Sequence, residues 1–220
     1  MRGDLRVVDD VPAAFCDAVA EAWRSRGEGP FTVALSGGET ARRCYERLAE
    51  RAGDPVDWSQ VVVLWGDDRC VPLDDEDSNH RLAREALLDA VGPVAGDHPM
   101  RCEDPDGYDR LVAELGRIDV VHLGLGPDGH TASLFPGSPA LDAPPGRFVV
   151  PNEDPLGNNP HPRLTLTFDG LRLGRHVVVT VEGEEKREAL ERVRVGDDVP
   201  AARADAPGVL WLADAAATTP

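Results

Sequence analysis

A chain of 220 residues with 41% apolar and 29% charged side chains has the size and composition of one globular domain over residues 1–220. Its net charge of −17 argues against binding nucleic acid or an anionic membrane through a broad basic face. No apolar run reaches the ~20 residues needed to span a bilayer, and the N-terminus lacks the apolar core of a secretory signal. We therefore expect a cytoplasmic protein.

Apolar runs alternate with amphipathic stretches along the chain. In chain order the pattern predicts strands at residues 5–8, 31–35, 61–65, 118–123, 147–150, 164–168, 177–181 and 209–212. It predicts helices at residues 11–26, 40–51, 78–88, 104–116 and 184–193, with Ser78 as an N-cap, a long loop over 141–162 and a frayed tail over 213–220. Continuous β-branched runs between helices indicate an α/β fold whose mostly parallel sheet is covered on both faces.

The four cysteines, Cys16, Cys44, Cys70 and Cys102, lie 26 to 32 residues apart, and no two form a Cys-x-x-Cys pair. A chain of this length does not need disulfides to be stable. We expect all four to be reduced thiols or small core residues, and we assign them no metal.

The segment from Gly124 to Gly137 follows the apolar run at 118–123. Its first three glycines, Gly124, Gly126 and Gly129, have the spacing of a dinucleotide-binding sequence motif. A dinucleotide site needs a helix of about three turns after those glycines, and Pro136 interrupts any such helix. The same loop carries Asp128 and His130. An imidazole beside a carboxylate is suited to general base catalysis, but a turn-forming Asp128 with His130 capping a short helix fits the residues equally well.

Two further strand ends carry polar residues. Ser36-Gly-Gly-Glu-Thr40 joins a strand to a helix and could bind an anion through backbone N–H groups, or form an ordinary turn capped by Thr40. Asp67-Asp-Arg69 ends another strand and is either a solvated loop or a source of a cation, Arg69, for a carbonyl oxygen. Arg163 and Lys186, the single lysine, could complete a cationic pocket that the acidic chain otherwise lacks.

In this order the motifs resemble the 6-phosphogluconolactonase family, and the resemblance covers nearly the whole chain. The matching motifs are Ser36-Gly-Gly-x-Thr40, Asp67-Asp-Arg-Cys-Val-Pro72 with Asp77-Ser-Asn79, Gly126-Pro-Asp-Gly-His-Thr-Ala-Ser-Leu-Phe-Pro-Gly137, Arg163-Leu-Thr165 and Gly183-Glu-Glu-Lys186. The resemblance implies a Rossmann-like three-layer sandwich without metal or cofactor. It also implies hydrolysis of 6-phospho-D-glucono-1,5-lactone to 6-phosphogluconate. We expect the chain to be a monomer or a weak homodimer.

The resemblance also implies roles for individual residues. His130 would be the general base, supported by Asp128 and Asp67, and Arg69 would stabilise the oxyanion. The substrate and its phosphate would be bound by Ser36, Gly37, Gly38, Thr40, Asn79, Arg163 and Lys186. Two positions depart from the family pattern: Glu39-Thr-Ala41 replaces the more common Ser-Thr-Pro, and Asp67-Asp68 replaces Asp-Glu.

Two other functions need weighing. Glucosamine-6-phosphate deaminases share the fold and the Asp-Gly-His core, but carry a glutamate five residues after the histidine, where this chain has Phe135. A sensor of sugar phosphates without turnover would keep the pocket and lose catalytic residues, whereas His130, Asp128 and Arg69 are all present. Both comparisons favour the lactonase.

Overall fold

Within residues 1–219, which the computed structural model describes, the eight predicted strands lie close to their expected positions, and two strands that were not predicted, at 67–69 and 96–97, are also present. They are β1 (Asp4–Val7), β2 (Phe31–Leu35), β3 (Val61–Trp65), β4 (Asp67–Arg69), β5 (Gly96–Asp97), β6 (Ile118–Gly124), β7 (Val149–Asn152), β8 (Arg163–Leu166), β9 (Gly174–Val181) and β10 (Val209–Ala213). The helices are α1 (Val11–Arg24), α2 (Glu39–Glu50), α3 (Asn79–Ala83), α4 (Asp89–Val91), α5 (Pro105–Leu115), α6 (Phe168–Arg172), α7 (Arg187–Val195) and α8 (Ala215–Thr218).

Seven of the strands form one parallel sheet in the order β1-β10-β9-β6-β2-β3-β5. Every residue of β2 is buried. Successive strand residues point to opposite faces, so a strand is buried throughout only when helices cover both faces of its sheet. The prediction of a mostly parallel sheet in an α/β fold, covered on both faces, is thereby confirmed.

The helix ends follow local sequence signals. Ser78 accepts a hydrogen bond from the Arg81 N–H and caps α3, and a π-helical turn at Arg84–Leu88 then joins α3 to α4. Asp104 caps α5 ahead of Pro105, and Gly116 ends it in the left-handed conformation at φ 63°. Across residues 1–219 no helix is long and apolar enough to cross a membrane.

A second sheet differs from the prediction. The strands expected at 147–150 and 164–168 are β7 and β8. They form a separate three-stranded sheet with β4 rather than joining the main one, and β8 lies in its centre, antiparallel to both β4 and β7. The chain passes from one sheet to the other at Gly66, whose N–H donates to Leu35 O and whose carbonyl accepts from Leu166 N, each at 2.8 Å. The segment 141–162 is therefore not one long loop, because β7 lies within it.

The prediction of a frayed tail from residue 213 is also wrong for the described residues. Ala213 completes β10, and α8 follows with Asp214 accepting a hydrogen bond from the Ala217 N–H as its N-cap. Ala217 is 1% exposed. Burial of this side chain and the cap together hold the segment in place, and Pro220 lies outside the described residues.

The cysteines are a further correction. Cys70 and Cys102 form a disulfide with their Cα atoms 5.5 Å apart, whereas Cys16 and Cys44 are free and buried as expected. Burial raises the pKa of the Cys16 thiol to about 11 and that of Cys44 further still. A separation of 32 residues carried no signal for pairing, because the approach of the two cysteines is set by the fold.

Replacing Cys102 with serine is expected to lower the free energy of unfolding by up to about 3–4 kcal/mol, because the disulfide restricts a 32-residue loop of the unfolded chain. Denaturant unfolding with and without a thiol reductant checks this. Reductant should destabilise the wild type and leave the variant unchanged. Equal sensitivity of the two proteins would contradict the assignment.

Candidate active site

A cavity of about 270 Å³ opens where the chain leaves the carboxyl ends of β2, β3 and β6. Ligands of parallel α/β sheets bind at this edge. All the predicted site residues except Thr40 and Asp128 line the cavity. Its lining comprises Ser36, Gly37, Gly38, Asp67, Arg69, Asn79, Gly124, Leu125, Gly126, Pro127, His130, Ala132, Ser133, Phe135, Asn159, Arg163 and Lys186.

The loop after β6 joins His130 to Asp128. The imidazole Nδ1 lies 2.6 Å from Asp128 Oδ1, and the His130 backbone N–H donates to the same oxygen at 3.1 Å. Partial burial of Asp128 raises the pKa of its carboxyl, but the hydrogen bonds and charge of His130 outweigh burial and lower that pKa overall. Asp128 is therefore a carboxylate at neutral pH and a hydrogen-bond acceptor only.

Glycines shape this loop. A Cβ on Gly126 would lie 2.1 Å from His130 Nδ1, and Gly129 has φ 90°, so neither position accommodates a larger residue without movement. Residues 130–138 form turns and a Thr131–Leu134 bridge rather than a helix. A dinucleotide-type helix is thus absent from this stretch of the described chain, and so is the short helix that His130 might have capped.

The charged segment after β3 is strand β4, not a solvated loop. Asp67 is 6% exposed and accepts a hydrogen bond from Ser133 Oγ at 2.6 Å. Asp68 turns the other way and accepts from the backbone N–H groups of Arg69, Asn79 and His80, although burial still raises the pKa of its carboxyl. Asp67 therefore faces the cavity, and Asp68 holds the start of α3.

The turn at residues 36–38 lies against Asn79. A Cβ on Gly37 would fall 1.8 Å from Asn79 Oδ1, and Gly38 has φ 94° at the N-cap of α2. Thr40 does not cap α2: it lies inside the helix and lines an adjoining cavity of about 190 Å³ together with Glu39, Glu182 and Glu185. Gly37, Gly38 and Lys186 line both cavities, so Thr40 lies outside the main cavity but shares the adjoining one with three other predicted binding residues.

Three cationic side chains, those of Arg69, Arg163 and Lys186, line the main cavity. Arg163 is 6% exposed, and burial, together with the nearby charge of Arg69, lowers the pKa of its guanidinium. Among residues 1–219 neither Arg69 Nε nor Arg163 Nε has a hydrogen-bond partner, and the same holds for Asn79 Oδ1. The two arginine N–H donors suit a cavity that binds an oxygen-rich anion, whereas the Asn79 oxygen can only accept a hydrogen bond.

Sequence reasoning assigned no catalytic or binding role to eight of the lining residues, and three of these, Ser133, Phe135 and Asn159, have polar or aromatic side chains. Ser133 bonds to Asp67, and Asn159 lines the cavity from the loop before β8. Phe135, 1% exposed, places its ring edge-on to His130 with the centroids 5.0 Å apart. Ser133 and Phe135 lie within the motif around His130, so proximity to that histidine was a usable signal. Asn159 is distant in sequence and carried none.

Fold and cavity together define an α/β protein with a polar, cation-lined site at the carboxyl ends of a parallel sheet. The chain belongs to the family described as glucosamine-6-phosphate isomerases/6-phosphogluconolactonase, whose profile matches residues 5–211. The predicted family resemblance is confirmed.

Individual relatives agree with this assignment. The chain is 40% identical over 190 residues to a 6-phosphogluconolactonase of Synechocystis sp., covering 80% of this chain and 75% of that protein. It superimposes on the 6-phosphogluconolactonase of Trypanosoma brucei with a TM-score of 0.85 and 28% identity, covering 98% of this chain and 97% of that one. A monomeric glucosamine-6-phosphate deaminase shares the fold alone, with a TM-score of 0.79 and 18% identity over 97% and 98% of the chains.

Proposed function

We propose that this chain hydrolyses 6-phospho-D-glucono-1,5-lactone to 6-phosphogluconate, with His130 activating water. The observation that carries the proposal is the His130–Asp128 pair, 2.6 Å apart, facing a cavity lined by three cations in a chain of net charge −17. Relatives named 6-phosphogluconolactonase support the same substrate.

The protonation of the pair follows from its hydrogen bond. Because the Asp128 carboxylate can only accept, His130 Nδ1 carries a proton, and Nε2 is the unprotonated nitrogen of the neutral imidazole that acts as the base. Nε2 can then take a proton from a water molecule in the cavity. Asp128 holds the ring in this tautomer and stabilises the imidazolium that forms.

The water oxygen attacks the lactone carbonyl carbon as its proton moves to His130 Nε2. The carbonyl oxygen becomes an oxyanion, which the guanidinium of Arg69 would stabilise; that Arg69 lines the same cavity as His130 supports this role. The ring C–O bond then breaks, and His130 returns its proton to the leaving ring oxygen. One water is consumed, and no covalent enzyme intermediate is required, because a lactone is an activated ester.

We assign the phosphate to the side of the cavity formed by the turn at 36–38, Lys186 and Arg163. The adjoining cavity containing Thr40 is less suitable, because Glu39, Glu182 and Glu185 line it. Asn79 would contribute its unpartnered Oδ1 to a substrate hydroxyl. Asp67 is bonded to Ser133, so within the described residues its support of His130 is indirect.

A coupled assay for 6-phosphogluconate release tests the proposal. The purified chain should release product well above the rate of spontaneous lactone hydrolysis. A rate equal to the spontaneous one would favour the sensor without turnover. Ammonia release from glucosamine 6-phosphate would favour the deaminase, but buried Phe135 leaves no carboxylate at the position that reaction needs.

Replacing Lys186 with alanine is expected to raise KM for the phosphorylated lactone at least about tenfold and to change KM for unphosphorylated gluconolactone far less, because a charge-assisted bond to phosphate is lost. Steady-state kinetics on both substrates measures this. Arg187→Ala is the matched control, since Arg187 is adjacent but bonded to Glu184 and Ala216. Equal effects on both substrates would remove Lys186 from the phosphate site.

A further inference from the structure

Both tyrosines of the chain are buried beneath the candidate active site and make the same unusual contact. The Tyr45 hydroxyl accepts from Ser36 N at 2.7 Å and lies 3.1 Å from Ser36 O. The Tyr108 hydroxyl accepts from Trp65 N at 2.8 Å and lies 3.2 Å from Trp65 O. Each phenol thus serves both backbone groups of one residue at a strand end.

The sheet explains why these two residues need a side-chain partner. Backbone groups of successive strand residues point to opposite neighbours. Leu35 O faces β3, where it accepts from Gly66 N, so the Ser36 groups face β6. The backbone N–H and C=O groups of Trp65 point to the side of β3 on which β5 lies. That strand ends at Asp97, and the last backbone hydrogen bond on this side runs from His98 N to Val63 O. Without the phenols, all four backbone groups would be buried without a partner within residues 1–219.

A third buried side chain orients the Tyr45 hydroxyl. His122 Nδ1 lies 2.9 Å from Tyr45 Oη, and its Nε2 lies 2.9 Å from Thr180 Oγ1. Burial lowers the pKa of His122 to about 3, so the ring is neutral. If Nδ1 carries the proton, Tyr45 donates to Ser36 O and Thr180 donates to Nε2, and every group is satisfied. The opposite tautomer would take the Tyr45 proton away from Ser36 O.

Ser36 and Trp65, whose backbone groups bond to the two phenols, precede different parts of the site. Ser36 begins the turn that continues through Gly37 and Gly38 into the cavity. Trp65 precedes Asp67 by two residues and Arg69 by four, and both of these line the cavity. Loss of either phenol would therefore act first on a different part of the site, and the bond from Gly66 N to Leu35 O is the link between the two strand ends.

We propose that Tyr45 and Tyr108 are positioning residues with separate roles, Tyr45 holding the substrate-binding turn at 36–38 and Tyr108 holding the strand that carries Asp67 and Arg69. The division into binding and chemistry rests on the proposed function. Neither phenol lines the main cavity. Each acts through the backbone it bonds.

Replacing each tyrosine with phenylalanine tests the proposal, because the two variants should change different kinetic constants. Tyr45→Phe should raise KM for the phosphorylated lactone about tenfold, with kcat within about twofold of the wild type, because the ground-state contacts of the turn are loosened. Tyr108→Phe should lower kcat about tenfold with little change in KM, because Arg69 acts on charge that develops in the transition state. Thr180→Val should reproduce the Tyr45→Phe effect more weakly, and it provides a second test if Tyr45→Phe folds poorly.

Amide hydrogen exchange gives a readout that does not depend on turnover. The Ser36 amide should exchange at least about tenfold faster in Tyr45→Phe only, and the Trp65 amide in Tyr108→Phe only. Thr32→Val is the control: it removes a buried hydroxyl bonded to Asp119 at the other end of β2, and should lower stability without moving KM, kcat or either amide.

Two results would overturn the proposal. One is equal changes in KM and kcat in both tyrosine variants; the other is unchanged exchange at Ser36 and Trp65. If the wild type fails to hydrolyse the lactone, the proposed function is wrong, while the exchange pattern still decides whether the two phenols hold the two strand ends.

Discussion

Replacing His130 with alanine is expected to lower kcat/KM for 6-phosphogluconolactone by about 10²- to 10⁴-fold, the usual contribution of a positioned general base. The variant loses the only imidazole lining the main cavity in the described chain, and Asp128 is left without the ring it orients. Kinetics corrected for spontaneous hydrolysis measures the loss. Binding of 6-phosphogluconate should stay close to that of the wild type.

The matched control is His176→Ala. His176 pairs with Val120 in the amino-terminal half of the sheet, far from the carboxyl-end cavity, so its loss should leave kcat/KM unchanged. Thermal unfolding of both variants separates catalysis from folding. A folded His130→Ala protein with kcat/KM close to that of the wild type would rule out His130 as the base.

Replacing Arg69 with alanine is expected to lower kcat about 10²- to 10³-fold and to change KM only a few-fold, because the oxyanion exists in the transition state and not in the bound substrate. The contacts of Arg69 suit this role, since its NH1 donates to Asp77 O and, among residues 1–219, its Nε has no partner. Arg69→Lys should recover part of kcat, since it keeps the charge but not the planar fork.

Arg194→Ala is the matched control, because it removes an arginine that does not line the main cavity. Arg194 is exposed on α7 and pairs with Glu191, so its variant should behave as the wild type in both constants. A large rise in KM with unchanged kcat for Arg69→Ala would instead place Arg69 among the binding residues. The same outcome would also weaken the separate roles inferred for Tyr45 and Tyr108.

Local sequence patterns predicted the main sheet well. The observed limits of β2 and β3 coincide with the predicted strands at 31–35 and 61–65, because each is a mainly apolar run followed at once by a polar, glycine-containing turn sequence. Ser78 and Asp104 marked helix starts because a cap acts within a few residues of itself. The pairing of His130 with Asp128 was equally accessible, since two residues on one loop cannot separate far.

Contacts between distant residues were not accessible in this way. Nothing local in the sequence indicated that Cys70 meets Cys102, that Ser133 bonds to Asp67 across 66 positions, or that Tyr45 and Tyr108 serve two strand ends. The strands at 147–150 and 164–168 were predicted, but their membership of a second, separate sheet was not. Strand propensity describes one segment, whereas pairing depends on which other segment arrives beside it.

The sequence alone determined the α/β alternation, the loops at the strand ends and the residue types that a cation-lined lactone site requires, because these depend on short-range periodicity and side-chain chemistry. The tertiary structure alone decided which of those residues share a cavity. It placed Thr40 beside Glu182 and Glu185 and bonded Asp67 to Ser133, because these contacts join segments that lie far apart along the chain.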